Sequence, residues 1–372
     1  MSENFKIQSK CGDARVTSFN TKHGKIETPI FMPVGTAGTV KAIFPTDLLK
    51  LDFQIILANT YHLMLRPGEN IIRKMGGIQK YINWNRPILT DSGGFQIWSL
   101  SNLSNISENG IKFSSHIDGK KYFMSPEKSI LIQEKLNSDI SMVLDECTEF
   151  PATFERSKKS MEMTLRWANR CKKAFKKKKG FKLFGIIQGG MYKILRRECV
   201  EKLLEINFDG YAIGGLSVGE SHNKMLEVIE STVPFIPNNK PRYLMGVGRP
   251  VDIIKAVERG VDMFDCVIPT RFGRNGRAFT SEGEINLRNT IYAVDEQPLD
   301  ESINCHVSKS YSRSYIHHLT KSNEILSSMI LSLHNIAFYK KMMSDIKESI
   351  INNSFEKLKK LYLEKHEKYK KN

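Results

Sequence analysis

The 372-residue chain contains no Cys-x-x-Cys pair. Its six cysteines, Cys11, Cys147, Cys171, Cys199, Cys266 and Cys305, lie scattered. That spacing excludes a disulfide framework, and reduced thiols are expected. No apolar run approaches the roughly 18 to 20 residues that cross a bilayer, so no membrane span is expected. The start, Met1-Ser2-Glu3-Asn4-Phe5-Lys6, lacks the charged-then-apolar pattern of a signal peptide, which leads to the expectation of a cytoplasmic protein. Repeats of the solenoid type are also missing. Acidic residues are the scarcer charge: 40 Asp and Glu against 56 Lys and Arg leave a net charge of +16, which favours a polyanionic partner. Charge alone does not name that partner, because Lys, Ile and Asn are abundant throughout and the run Lys176 to Lys179 reads as a solvated loop.

What is present is one arrangement repeated six times: an apolar, β-branched run that stops at a carboxylate, a Gln or a Gly pair, then turn residues, then a helix-like stretch. The six are Ile88-Leu89-Thr90-Asp91-Ser92-Gly93-Gly94, Met142-Val143-Leu144-Asp145-Glu146-Cys147, Leu183-Phe184-Gly185-Ile186-Ile187-Gln188-Gly189-Gly190, Tyr211-Ala212-Ile213-Gly214-Gly215-Leu216, Tyr243-Leu244-Met245-Gly246-Val247-Gly248 and Met263-Phe264-Asp265-Cys266-Val267-Ile268-Pro269. Short apolar strands alternating with helices specify a parallel sheet. Polar groups repeatedly placed at the carboxyl ends of such strands predict an α/β fold, a (β/α)8 TIM barrel with its site at that face. Such a barrel takes about 250 residues, leaving room for a small appended unit.

Residues 1–30 alternate polar and apolar around turns at Cys11-Gly12-Asp13 and Lys22-His23-Gly24-Lys25, which predicts a β-hairpin capping the barrel floor. Helices are predicted over 127–137, behind Ser125-Pro126, and over 154–176. Residues 286–320 form a loop-rich insertion, followed by helical spacing in Tyr311 to Leu319 and Asn323 to Tyr339 (Ile325, Met329, Leu333, Ile336) and by a Lys/Glu-rich helix from Ser354 to Asn372. The expected organisation is a catalytic barrel with its β cap over 1–290, a small subdomain and last barrel-packing helices over 291–345, and a C-terminal helix over 346–372.

Asp91 precedes Ser92-Gly93-Gly94, whose glycines let a ligand approach the backbone closely. Asp265 is embedded among apolar neighbours on the face of Met263 and Val261, and a carboxylate there must be paired, hydrogen-bonded or functional. Asp145 repeats the situation, with Gln188 and Gly214-Gly215-Leu216 adding amide and main-chain groups. Three carboxylates plus amide donors suit a flat hydrogen-bonding heterocycle such as guanine, whose ring N–H and amino group one carboxylate can accept together.

These residues resemble those of the queuine-type tRNA-guanine transglycosylases, collinearly from about residue 5 to 345. The resemblance is carried by Leu57-Ala58-Asn59-Thr60-Tyr61-His62-Leu63, Leu65-Arg66-Pro67-Gly68, Thr90 to Gln96, Leu144 to Cys147, Phe184 to Gly189, Gly214 to Glu220, Tyr243 to Gly248 and Met263 to Arg271. It implies a barrel enzyme, needing no catalytic cofactor, that exchanges guanine at the first anticodon position of tRNAs of the Asp, Asn, His and Tyr type, with a uracil-guanine-uracil loop, for 7-aminomethyl-7-deazaguanine. On that pattern Asp265 matches the nucleophile and Asp91 the general acid/base. Asp91, Ser92, Gly93, Gly94, Phe95, Asp145, Cys147, Gln188, Gly215, Leu216, Glu220 and Met245 match the base site. Gly246-Val247-Gly248-Arg249-Pro250-Val251-Asp252 and Thr270-Arg271-Phe272-Gly273-Arg274 match the RNA-binding segments.

Family members carry a zinc subdomain with three cysteines and a histidine, and here those positions read Ile303, Cys305, Ser308 and His334. One thiolate and one imidazole fall short of four N or S ligands, so no tightly bound structural zinc is expected. Tyr311, Tyr315, Ile316 and the stripe from Ile325 to Leu333 are expected to hold the subdomain instead. Tyr311, Tyr315 and His318 match a region that forms a homodimer contact in relatives. Another reading keeps the fold but makes the chain a non-catalytic or decaying tRNA-binding partner subunit. Such a subunit should lack a working carboxylate, and both Asp91 and Asp265 are present.

Overall fold

The computed structural model describes residues 5–100 and 104–366. Eight parallel strands close into a barrel: β1 (Ile30–Gly35), β2 (Ile56–Ala58), β3 (Ile88–Thr90), β4 (Ile140–Met142), β5 (Lys182–Ile187), β6 (Gly210–Ile213), β7 (Arg242–Leu244) and β8 (Met263–Cys266). Closure comes from β8 pairing with β1 in the register Met263 to Ile30, Asp265 to Met32. The six predicted runs supply β3 to β8. β1 and β2 complete the ring, and their weaker signals have physical causes: Pro33 interrupts β1, and β2 is only three residues long. Both faces of these strands are covered, so they read as continuous apolar runs rather than as alternation.

The predicted hairpin at the start is a three-stranded antiparallel sheet, Lys6–Cys11, Ala14–Thr21 and Gly24–Thr28. It is stitched to the amino ends of the barrel strands by two buried carboxylates. Arg15 Nε and Nη2 donate to Asp262 at 2.9 and 2.6 Å, just ahead of β8. The His23 amide donates to Asp139 at 2.9 Å, just ahead of β4, and Asp139 also accepts from the Ile88 amide at 3.0 Å. These contacts place the sheet on the floor, opposite the carboxyl-end face. A further three-stranded sheet, Ser104–Ser107, Gly110–Ser114 and Lys121–Met124, follows β3 and has no counterpart in the sequence reading.

The helix predicted over 127–137 spans Pro126–Leu136. Ser125 caps it by accepting from the Lys128 amide, and Pro126 sits in its first turn, where the missing N–H costs nothing. The helix predicted over 154–176 spans Phe154–Ala174 and is capped by Thr153. Lys176 to Lys179 lie on an exposed loop, with Lys178 reaching Glu134 at 3.0 Å.

Beyond the barrel, a hairpin (Arg277–Thr280, Gly283–Asn286) leads through irregular chain to helices His306–Ser310, Arg313–Lys321 and Ile325–Ile351. The last is far longer than the predicted 323–339. The C-terminal helix is described over Phe355–His366, and the rest of its predicted span lies outside the described residues. The long helix packs closely on helix Ile268–Arg274, such that a Cβ at Gly273 would fall 2.6 Å from the Ser332 amide. Buried Asn335 adds three bonds, accepting from the Phe279 amide at 2.9 Å and donating to Pro269 and Arg277 carbonyls at 2.9 and 3.0 Å. This fastens the loop after β8 to the subdomain. The stripe expected to hold the subdomain is corrected in part: Ile325 is 77 % exposed and Tyr315 41 %, while Ile316, Ile330 and Leu331 supply the buried contact. The cause is geometric, since Ile325 is the first residue of its helix and extends past the surface it packs on.

Candidate active site

The three carboxylates converge at the carboxyl-end face. Asp91 directly follows β3, Asp145 lies three residues past β4 on the adjacent strand, and Asp265 is the third residue of β8. Asp91 and Asp265 are close enough that the charge on one raises the pKa of the other group. Ser92, next to Asp91, donates to Asp145 Oδ1 at 3.4 Å.

Each carboxylate is held differently. Asp91 is buried and accepts from the Thr60 amide at 2.8 Å and from the Asn59 side-chain amide, both at the carboxyl end of β2. Loss of hydration pushes its pKa up to about 7, against the pull of these donors and with the Asp265 charge adding to the rise. Asp145 is also buried and accepts from Gln188 Nε2 at 2.8 Å, and burial pushes it up to about 6. Its neighbour Glu146 points the other way and pairs with Arg156 at 2.7 Å. Asp265 is partly open to solvent. Its Oδ1 accepts from Tyr243 Oη at 2.6 Å and from the Gly246 amide at 2.8 Å. Its surroundings still raise its pKa through desolvation, while these two donors oppose the rise. Two carboxyls at one face, both raised by desolvation and each held by its own donors, give the site the paired groups that acid/base and nucleophilic roles require.

The glycines predicted at this face are required by space. A Cβ at Gly94 would fall 2.8 Å from the Asp145 carbonyl. Gly215 has φ +64°, and a Cβ there would collide with Gln188 Oε1. Phe95, just after Gly93-Gly94, is 46 % exposed and Met245, just after β7, is half-buried, while Leu216 is buried. Cys147 is buried with its thiol pushed up to about 12 by desolvation, which makes it a small apolar wall rather than a nucleophile. Glu220 accepts from the Ser217 and Val218 amides at 2.5 and 2.9 Å, so its carboxylate bridges the loop after β6.

The predicted RNA-binding segments divide. Arg249, Arg271, Arg274 and Gly246 reach solvent, and Arg249 lies over the Phe272 ring at 5.6 Å. Val247, Gly248, Pro250, Val251, Asp252, Thr270 and Gly273 are buried. The helices after β7 and β8 turn these positions inward. Sequence reasoning assigned no part to Asn59, Thr60 and Tyr243. Asn59 did carry a signal, a polar residue ending an apolar run, but Tyr243 sits inside such a run and only the pairing of β7 with β8 brings it to Asp265.

Among the described residues no group of three or more His, Cys, Asp or Glu is placed to hold a metal ion. The former zinc positions come together all the same. Ser308 Oγ lies 2.8 Å from His334 Nδ1, His334 Nε2 lies 2.8 Å from the Phe279 carbonyl, and Cys305 is hydrogen-bonded to Ser308. Both imidazole nitrogens are thereby occupied and Ile303 offers no ligand, so this donor set does not fit tetrahedral zinc.

The closed parallel barrel and the carboxylates gathered at its carboxyl-end face define a (β/α)8 barrel with an acidic site where such barrels carry their chemistry. The family model described as queuine tRNA-ribosyltransferase matches residues 10–368. A queuine tRNA-ribosyltransferase of Thermoanaerobacter sp. (strain X514) is 54% identical over 354 residues, covering 95% of this chain and 94% of its own length. One of Rickettsia bellii (strain OSU 85-389) is 53% identical over 346 residues, covering 93% and 96%. The chain belongs to the queuine tRNA-ribosyltransferase family.

Proposed function

We propose that the protein is a tRNA-guanine transglycosylase that replaces guanine at the first anticodon position with 7-aminomethyl-7-deazaguanine. Its chemistry is a double displacement. An Asp265 carboxylate oxygen attacks the ribose anomeric carbon, the bond from that carbon to the guanine nitrogen breaks, and the departing base receives a proton handled by Asp91. The incoming base then loses a proton to Asp91, attacks the same carbon and expels Asp265, so the anomeric configuration is retained. The observation that carries this reading is the pairing of the two groups at the carboxyl-end face: Asp91, pushed up to about 7 in part by the Asp265 charge, and Asp265, whose Oδ1 is oriented by Tyr243 and the Gly246 amide.

Asp145 accepts the purine's N–H donors, the free N–H of Gln188 and the Gly215 amide donate to its carbonyl, and Phe95 and Met245 flank the ring. Leu216 and Glu220 receive the aminomethyl group, and Arg249, Arg271 and Arg274 contact the anticodon loop. The protein works in the cytoplasm as a homodimer, the second part of this reading being supported by large apolar side chains left exposed in the C-terminal region, Val294 (86 % exposed), Ile325 (77 %) and Ile291 (71 %). Among the described residues no helix is long and apolar enough to cross a membrane.

The test is incorporation of radiolabelled guanine into tRNA bearing a uracil-guanine-uracil anticodon loop, with a denaturant-resistant tRNA adduct trapped in parallel. Wild type exchanges guanine and forms the adduct, and Asp265→Asn does neither. Wild-type exchange rates in Asp265→Asn would refute the nucleophile, and no exchange by folded wild type would refute the function.

A further inference from the structure

Arg196, on helix Lys193–Ile206 behind β5, is completely buried, yet no carboxylate pairs with it among the described residues. Its guanidinium grips backbone instead. Nε donates to the Gly190 carbonyl at 2.9 Å, and Nη1 donates to the Ile187 and Gly214 carbonyls at 3.1 and 2.8 Å, while Nη2 is buried without a partner. Burial brings its pKa down to about 10, which leaves it protonated at neutral pH. An unpaired buried cation is among the costliest groups a core can hold, and an apolar side chain of similar volume would fill the space at less cost. Its position suggests what offsets that cost. Two of the three carbonyls, Ile187 and Gly214, lie at the carboxyl ends of β5 and β6 on the peptides that carry Gln188 and Gly215, and the third, Gly190, lies in the turn after β5.

The Gly214 carbonyl and the Gly215 N–H are the two halves of one planar trans peptide and point in opposite directions. Fixing the carbonyl onto Arg196 therefore fixes the direction of the N–H. Gly215 is left-handed at φ +64°, so without such a hold this Gly-Gly step has ready alternatives. The same step lies against Gln188, which donates to Asp145, so it belongs to the constellation that faces the base.

We infer that Arg196 is a positioning residue for base exchange: by holding the Gly214 carbonyl it aims the Gly215 N–H at the carbonyl of the departing and entering purine. The inference rests on the base-exchange reading above. As the glycosidic bond breaks, negative charge spreads onto the base and its carbonyl oxygen, and a donor aimed in advance stabilises it most at that moment. Removing the clamp therefore weakens recognition of that one oxygen, on the departing base as on the entering one.

The test compares guanine with 2-aminopurine, which lacks the carbonyl, in wild type and Arg196→Lys. A lysine keeps the charge but cannot span the three carbonyls. In the variant kcat/KM for guanine falls by up to about tenfold, the scale of one lost hydrogen bond, while the Ki of 2-aminopurine stays within about twofold. Equal weakening of both bases, or an unchanged kcat/KM for guanine, overturns the inference. Absence of exchange by wild type, or a wild type that binds both bases alike, instead overturns the base-exchange assignment itself. Should Arg196→Lys not fold, 15N spectra of glycine- and arginine-labelled wild type decide. The Gly215 amide and the Arg196 guanidinium signals shift together with guanine and stay in place with 2-aminopurine. A Gly215 shift with an unmoved Arg196 signal, or no Gly215 response, overturns the inference.

Discussion

Tyr243→Phe probes the proposed nucleophile without touching it. The substitution removes one oxygen from a fully buried ring that keeps its packing, and with it the 2.6 Å hydrogen bond to Asp265 Oδ1, leaving only the Gly246 amide on that oxygen. A hydrogen bond to a charged group contributes about 1.5 to 3 kcal/mol, and 1.36 kcal/mol corresponds to one pH unit of a titration. Asp265 attacks only as the carboxylate, so covalent-adduct formation is lost as pH falls through its pKa, which desolvation already raises. Removing a donor that favours the ionised form moves that acidic limb upward by about 1 to 2 pH units. Single-turnover formation of the denaturant-resistant tRNA adduct, followed from pH 5 to 9, measures the limb directly. The variant approaches the wild-type rate only on the alkaline side. An acidic limb that stays in place, or moves to lower pH, would refute the claim that Tyr243 stabilises the ionised nucleophile.

Asp91→Asn leaves the site uncharged at that position and lowers kcat by about 10²- to 10⁴-fold, the usual range for a lost general acid/base. Because Asp91 titrates near 7, the wild-type exchange rate bends near that pH and the residual rate of the variant does not, as a pH series shows. His334 is buried and neutral with its pKa drawn down to about 4, below its unfolded value near 6.5. Its contribution to stability is therefore complete above about pH 6.5 and falls away as acid charges the unfolded chain. Thermal unfolding midpoints drop more steeply between pH 7 and 5 in wild type than in His334→Gln, and equal slopes would count against that account. Purified protein contains well under one zinc per chain and keeps its unfolding midpoint in chelator, with metal analysis as the check. Arg15→Met strands Asp262 in the barrel floor and costs about 3 to 5 kcal/mol in denaturant unfolding, and a cost under about 1 kcal/mol would show that the pair does not anchor the N-terminal sheet.

Much of the barrel was legible because its signals are local. Each of the six runs from β3 to β8 combines apolar content, a polar stop and turn residues within about ten positions, and all six are strands of the barrel. β1 and β2 were not among them, since a proline and a three-residue length weaken a pattern that closure of the ring then completes. The N-terminal segment shows the same limit. Alternation marked strands there, but whether two or three of them pair depends on Gly24–Thr28 finding Ala14–Thr21. In the RNA-binding segments, matching by position could not separate exposed Arg249 and Arg271 from buried Val251 and Asp252, because exposure depends on which way the following helix packs.

The order of the residues along the chain was enough to determine that carboxylates 91, 145 and 265 stand at the ends of parallel strands, since strand period and turn chemistry are properties of neighbouring positions. Which groups hold each of them was decided only by the fold. Asn59 lies 32 residues from Asp91, and Tyr243 lies 22 residues from Asp265. The buried guanidinium of Arg196 meets a carbonyl 18 residues away. Such contacts run between adjacent strands and the helices behind them. They depend on register and on how the ring closes, and both are set by packing of the whole barrel rather than by any local stretch of sequence.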